Sequence, residues 1–154
     1  MSIKINMQSD TVEIAKADES VVVSRDVTVR EVFGLLHKHQ VGNVLVCEDD
    51  KLVGIFTERD VVKLMAEDAD LDVPIESVMV ATPMTIPQGT LLAEAIRIMA
   101  TGGYRRLPIV DTDGQLVGII KVSGILHYLV DHFPETIFNL PPEPDVVMPE
   151  REGA

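Results

Sequence analysis

Gly54-Ile55-Phe56-Thr57-Glu58-Arg59-Asp60 reads as the end of a buried strand, a turn, and the first turn of a helix. Thr57 and Asp60 stand three apart at this junction. A threonine there sets its hydroxyl, with the free N–H groups of the starting helix, beside an anion. An aspartate there accepts paired hydrogen bonds from adjacent hydroxyls. The same spacing approaches a capping box, in which the threonine caps the helix and an acid at its third position reaches back. That box favours Glu or Gln, and Asp is shorter, so the capping fit is imperfect.

Upstream, Val44-Leu45-Val46-Cys47 and Lys51-Leu52-Val53 are short β-rich runs either side of an acidic turn, Glu48-Asp49-Asp50. Before them, Val29, Val32, Phe33 and Leu36 repeat at the spacing of one buried helix face. All of this recurs. Leu92, Ala95, Ile96 and Met99 form the second stripe, and Leu107-Pro108-Ile109-Val110 the second run. Asp111-Thr112-Asp113-Gly114 is the second turn, and Gln115-Leu116-Val117-Gly118-Ile119-Ile120 matches Lys51 to Phe56. A helix follows each copy, from Arg59 to about Glu67 and from Ser123 to about His132, with Pro134 ending the latter. Each unit is therefore strand–helix–strand–strand–helix, and too small to fold comfortably alone. The predicted fold is α+β, with two such repeats related by a pseudo-two-fold axis and packed sheet to sheet. The expected boundaries are an extension over 1–18, repeats over 19–76 and 77–133, and a Pro-rich acidic tail over 134–154.

The 154 residues are 46% hydrophobic and 25% charged, ordinary values for a soluble domain. No apolar run approaches the roughly 18 residues of a membrane span, and no leader-like start is visible. Cys47 is the single cysteine, which points to a reducing, cytoplasmic setting and excludes an intrachain disulfide. Its apolar neighbours favour a packed side chain over a reactive thiol. A net charge of −12 argues against nucleic-acid and anionic-membrane partners, which need accumulated positive charge. An anionic small molecule then requires a local gathering of cations, and Arg105-Arg106 is the adjacent pair of arginines.

These motifs, in order and twice over, resemble the CBS domain, named for cystathionine β-synthase, in the tandem form called a Bateman module. The resemblance covers about Glu19 to Asp131 and rests on Gly54 to Asp60, Arg106 to Asp111 and Gly114 to Ile119. It implies a regulatory module that takes an adenosine-containing ligand (AMP, ADP, ATP or NAD-like) in the cleft between repeats, with no catalytic cofactor. Asp60 would hold the ribose hydroxyls and Thr57 the phosphate, with Arg59 in the same motif. Met79, Val80, Ala81 and Met84 would line the adenine slot. Val41-Gly42-Asn43 and Tyr104-Arg105-Arg106 would add contacts. The second copy departs from the pattern: Lys121, Val122, Ser123 and Gly124 stand where Thr57 to Asp60 stand in the first. Without the carboxylate a diol loses its acceptor, so Lys121, Ser123, Val21 and Val22 make a degenerate second site. One competent site per chain is the expectation.

A homodimer and an unidentified effector protein are the expected partners, since any output must act on another chain. The rival function is an interaction scaffold with a vestigial pocket. His37 and His39, two apart near a helix end, do not converge on a metal, and packing or solvent accounts for His127, Tyr128 and His132. No nucleophile–base set, Walker loop or Gly-x-Gly-x-x-Gly run supports an enzyme. Ser9 to Lys16 reads as a weak helix or strand. In the tail, Ile137, Phe138 and Leu140 are apolar enough to dock on a neighbouring surface.

Overall fold

The computed structural model describes residues 9–17 and 20–132, so the tail with Ile137, Phe138 and Leu140 lies outside the described residues. In chain order a 3-10 turn (Val12–Ile14) leads to β1 (Lys16–Ala17) and β2 (Val22–Val23), then α1 (Val29–His39). The first hairpin is β3 (Asn43–Glu48) and β4 (Lys51–Thr57), followed by α2 (Glu58–Ala66). A 3-10 turn (Ile75–Ser77) and β5 (Val80–Ala81) join this to the second unit. That unit is β6 (Ile86–Pro87), α3 (Leu92–Gly102), β7 (Arg106–Val110), β8 (Leu116–Lys121) and α4 (Val122–His132).

The two expected β-α-β-β-α repeats are present. Their sheets run β2-β3-β4-β5 and β1-β8-β7-β6. In each, the entry strand is parallel to the first hairpin strand, Val22 beside Leu45 and Ile86 beside Ile109. Each sheet then takes its outer strand from the segment that introduces the other unit. β5 pairs antiparallel with β4, and β1 pairs antiparallel with β8. Residues Ser9 to Lys16 thus resolve into a 3-10 turn and the start of a short strand.

Local chemistry accounts for the element ends. α1 opens on a capping box: Glu31 N donates to Thr28 Oγ1 (3.2 Å) and Thr28 N to Glu31 Oε2 (3.1 Å). It closes on Gln40 in the left-handed region (φ 55°). The first hairpin turns on Asp49 and Asp50, both at positive φ, as a two-residue turn with the twist of its strands requires. The longer second turn uses Gly114 at φ 80°. Both hairpins shift register at the equivalent place, Val46/Cys47 and Ile109/Val110, a mark of their common pattern.

Alternation along the strands divides the core into three. Val44, Val46 and Phe56 face the first unit's helices, with Val29, Val32, Leu64 and Ile75. Leu107, Ile109 and Ile120 face those of the second, with Leu92, Ala95, Met99 and Ile125. Leu45, Ile55 and Ile119 point the other way and meet at the seam, flanked by half-buried Leu52 and Leu116. Hairpin strands that read as continuous apolar runs are covered on both faces.

Candidate functional site

The hairpin ends next to the helices define the site. Asn43 is opposite Thr57 at the end of β3 and β4, and Arg106 is opposite Lys121 at the equivalent end of β7 and β8. Helix starts are fixed in matching fashion. Glu58 N donates to the Gly42 carbonyl and Val122 N to the Arg105 carbonyl, both at 3.0 Å. Each helix therefore begins one residue earlier than its sequence pattern indicates.

At the first corner Asp60 reaches back to the cap. Its Oδ2 accepts from Thr57 N (2.9 Å) and from Thr57 Oγ1 (3.3 Å). The shorter acid thus closes the box despite its length, at a half-buried corner. Both bonds fall on Oδ2, so within the described residues Oδ1 is the oxygen left for another donor.

Across the seam, Arg106 Nη2 donates to Glu58 Oε1 at 2.7 Å. The arginine side chain is 19% exposed and the glutamate 67% exposed. Gly42 makes room for them, since a Cβ there would lie 1.8 Å from Glu58 Oε1 and 3.0 Å from Arg106 Nη2. Lys121 joins the cluster. Its burial holds the amine below the usual lysine range, the Arg106 charge acts the same way, and Glu58 opposes both. Asn43 is 4% exposed and its Oδ1 lacks a partner among the described residues.

Other expected site residues are spread more widely. Val41 and Gly42 line an open cleft of about 430 Å³ with Leu36, His37, Gln40, Glu58, Val61 and Val62. Val80 and Ala81 lie exposed on the outer strand beside Ile55 and Gly54, and Met84 is exposed. Met79 is packed over Gly54, where its sulfur would be 2.2 Å from a Cβ, so it fills space as much as it lines any slot. Tyr104 lies over Gly102, and Arg59 and Arg105 are exposed.

In the second unit Lys121 is half-buried and Ser123 exposed, while Val22 lies in the entry strand beside Leu45 and the Val21 carbonyl just before it accepts from Leu45 N. The position of Asp60 is taken by Gly124, and a Cβ there would lie 2.6 Å from the Ala15 carbonyl oxygen. The N-terminal segment passes over this corner, a packing that sequence reasoning missed. Glu58 was missed too; its signal was a charge at a position where the other repeat has Val122.

Among the described residues, no group of three or more His, Cys, Asp or Glu is placed to hold a metal ion. No described helix is long and apolar enough to cross a membrane. Burial and then Asp50 push the Cys47 thiol up, away from the reactive thiolate.

The fold and its seam define a duplicated α+β module with one strand-to-helix corner in each half. The CBS domain family matches residues 13–67 and again 75–131, and the chain belongs to that family as a tandem pair. The "Uncharacterized 17.7 kDa protein in bps2 3'region" of Acidianus ambivalens is 34% identical over 111 residues, which are 71% of this chain and 67% of that one. Inosine-5'-monophosphate dehydrogenase of Aquifex aeolicus is 32% identical over 133 residues, 81% of this chain but only 27% of that enzyme. The crystal structure of CBSX2 in complex with AMP superposes with a TM-score of 0.69 at 25% identity, covering 79% of this chain and 97% of that one.

Proposed function

We propose that this CBS pair is a regulatory, non-catalytic module. It binds an adenosine-containing ligand at the Thr57–Asp60 corner and passes the resulting change to a partner protein. The observation that carries the reading is the half-buried Asp60 carboxylate, with Oδ1 uncommitted, in the same first helix turn as Glu58, which meets Arg106 with Lys121 on the strand beside it. A diol acceptor and a pair of cations suit the two ends of a nucleoside phosphate. AMP in the similar CBSX2 supports the ligand class. One ligand per chain is expected, because the Ala15 carbonyl stands where the second corner would need a side chain. A ligand that bridges two units favours one packing of them over another, and that difference is what a partner reads.

The scaffold reading has its own support. Asp60 already serves as a cap, and Val62, Met65, Val122 and Leu126 are exposed apolar residues on α2 and α4 suited to a second copy of the chain. Calorimetric titration of AMP, ATP and NAD into wild type and Asp60→Asn separates the two. Heat in the wild type that is lost in the variant supports the sensor. Absence of heat in both leaves the scaffold.

A further inference from the structure

The Glu58–Arg106 pair is the described ion pair that joins the two units, and it occupies the ground where an incoming anion has most to gain. Arg106 takes that carboxylate, and Lys121 stands directly opposite Arg106 on the neighbouring strand, so two cations lie together in a chain of net charge −12. Arg106 is held by its burial, and with its buried Nε unpartnered among the described residues, the bond from Nη2 to Glu58 is the side-chain hydrogen bond that satisfies it. Glu58 is mostly exposed and begins a helix, so its side chain can swing into solvent with little loss of packing.

We propose that Glu58 is a built-in competitor for the anion seat of Arg106 and Lys121, so that the site admits phosphorylated ligands only by displacing it. This rests on the adenosine-ligand reading of the same seam and adds the feature that sets its selectivity. A neutral nucleoside leaves the pair intact and gains nothing from the cations. A monophosphate trades one anion for another. A polyphosphate brings more charge than the carboxylate it expels, and can engage Lys121 together with the Arg106 Nη2 that Glu58 gives up. Glu58 thereby turns a general affinity for phosphate into a preference graded by ligand charge.

The test is calorimetric titration of adenosine, AMP, ATP and inorganic tripolyphosphate into wild type, Glu58→Gln, Glu58→Ala and Glu58→Gln/Arg106→Ala. Circular dichroism melts check that each variant folds. An exposed ion pair contributes up to about 1 kcal/mol, so both Glu58 variants are expected to bind ATP and tripolyphosphate up to about fivefold more tightly than wild type. Adenosine binding should stay unchanged, and the gain should vanish when Arg106 is also removed. Unchanged ATP affinity, or a gain shared by adenosine, overturns the proposal. Should no nucleoside or nucleotide bind any variant, the ligand reading falls, and tripolyphosphate still decides the matter. Tighter binding to the Glu58 variants keeps the competitor; equal or absent binding removes it.

Discussion

Replacing Asp60 by asparagine or by alanine separates the two tasks assigned to one side chain. Asparagine keeps an acceptor for Thr57 N, so its stability in a urea melt should fall within about 0.5 kcal/mol of wild type. Alanine removes the acceptor that closes the cap and should cost about 1 kcal/mol. If the carboxylate also holds a diol, both variants lose nucleotide heat although only one loses stability. Equal loss of stability in both would mean that the charge, rather than the acceptor, maintains the corner. The sequence presented capping and ligand binding as rival explanations of Thr57 and Asp60. Geometry makes them compatible, because the cap uses Oδ2 twice and leaves Oδ1. What residue type and spacing could not convey was which carboxylate oxygen did the work.

At the scale of elements, the N-terminal segment explains why the second corner differs from the first. Asp10 gives its carbonyl to Leu92 N at the start of α3 (2.8 Å), and its carboxylate accepts from the Tyr128 hydroxyl on α4. Val12 and Ala15 enter the second unit's core. Gly124 lets the Ala15 carbonyl approach α4. Alanine at 124 gains about 1 kcal/mol of helix propensity, but a Cβ 2.6 Å from a backbone oxygen is overpacking that costs about 1–3 kcal/mol. The clash should win, and Gly124→Ala should lower the melting temperature. Gly124→Asp should do the same without adding a second nucleotide equivalent in a titration. Burial, then the bond to Asp10 and its charge, push the Tyr128 phenol up to about 12 from an ordinary 10.0. The folded state therefore holds the phenol's proton over a range in which the unfolded chain releases it. This contribution is complete below pH 10 and is lost as pH rises towards 12. Tyr128→Phe should flatten that part of the stability profile, measured by urea melts across the alkaline range. The repeat and both helix stripes were legible as periods of 3.6 and 2. The docking of this segment was not, because a missing carboxylate at Gly124 looks the same whether its space is empty or filled.

For the whole molecule, the question is whether two small units behave as one. The seam core is slight, with three buried side chains and two half-buried ones. More than those side chains ties the halves together, since β5 and β1 put each unit's lead-in strand into the other's sheet. The hairpin turns also touch: Leu116 N donates to the Asp50 carbonyl (3.2 Å), and Lys51 bridges Gln115. One unit cannot unfold without stripping a strand from its partner's sheet and exposing the partner's seam residues. Calorimetric unfolding should accordingly show one cooperative transition, with equal calorimetric and van't Hoff enthalpies. Leu45→Ala removes a fully buried seam side chain and should cost about 2–5 kcal/mol. If the halves are coupled as described, this loss shifts the single transition without splitting it, although the substitution lies in the first unit alone. Two resolved transitions, one still at the wild-type temperature, would show that the swapped strands do not bind the halves together. A ligand at the seam could then stabilise one unit without the other, which would remove the joint change that the proposed signalling requires.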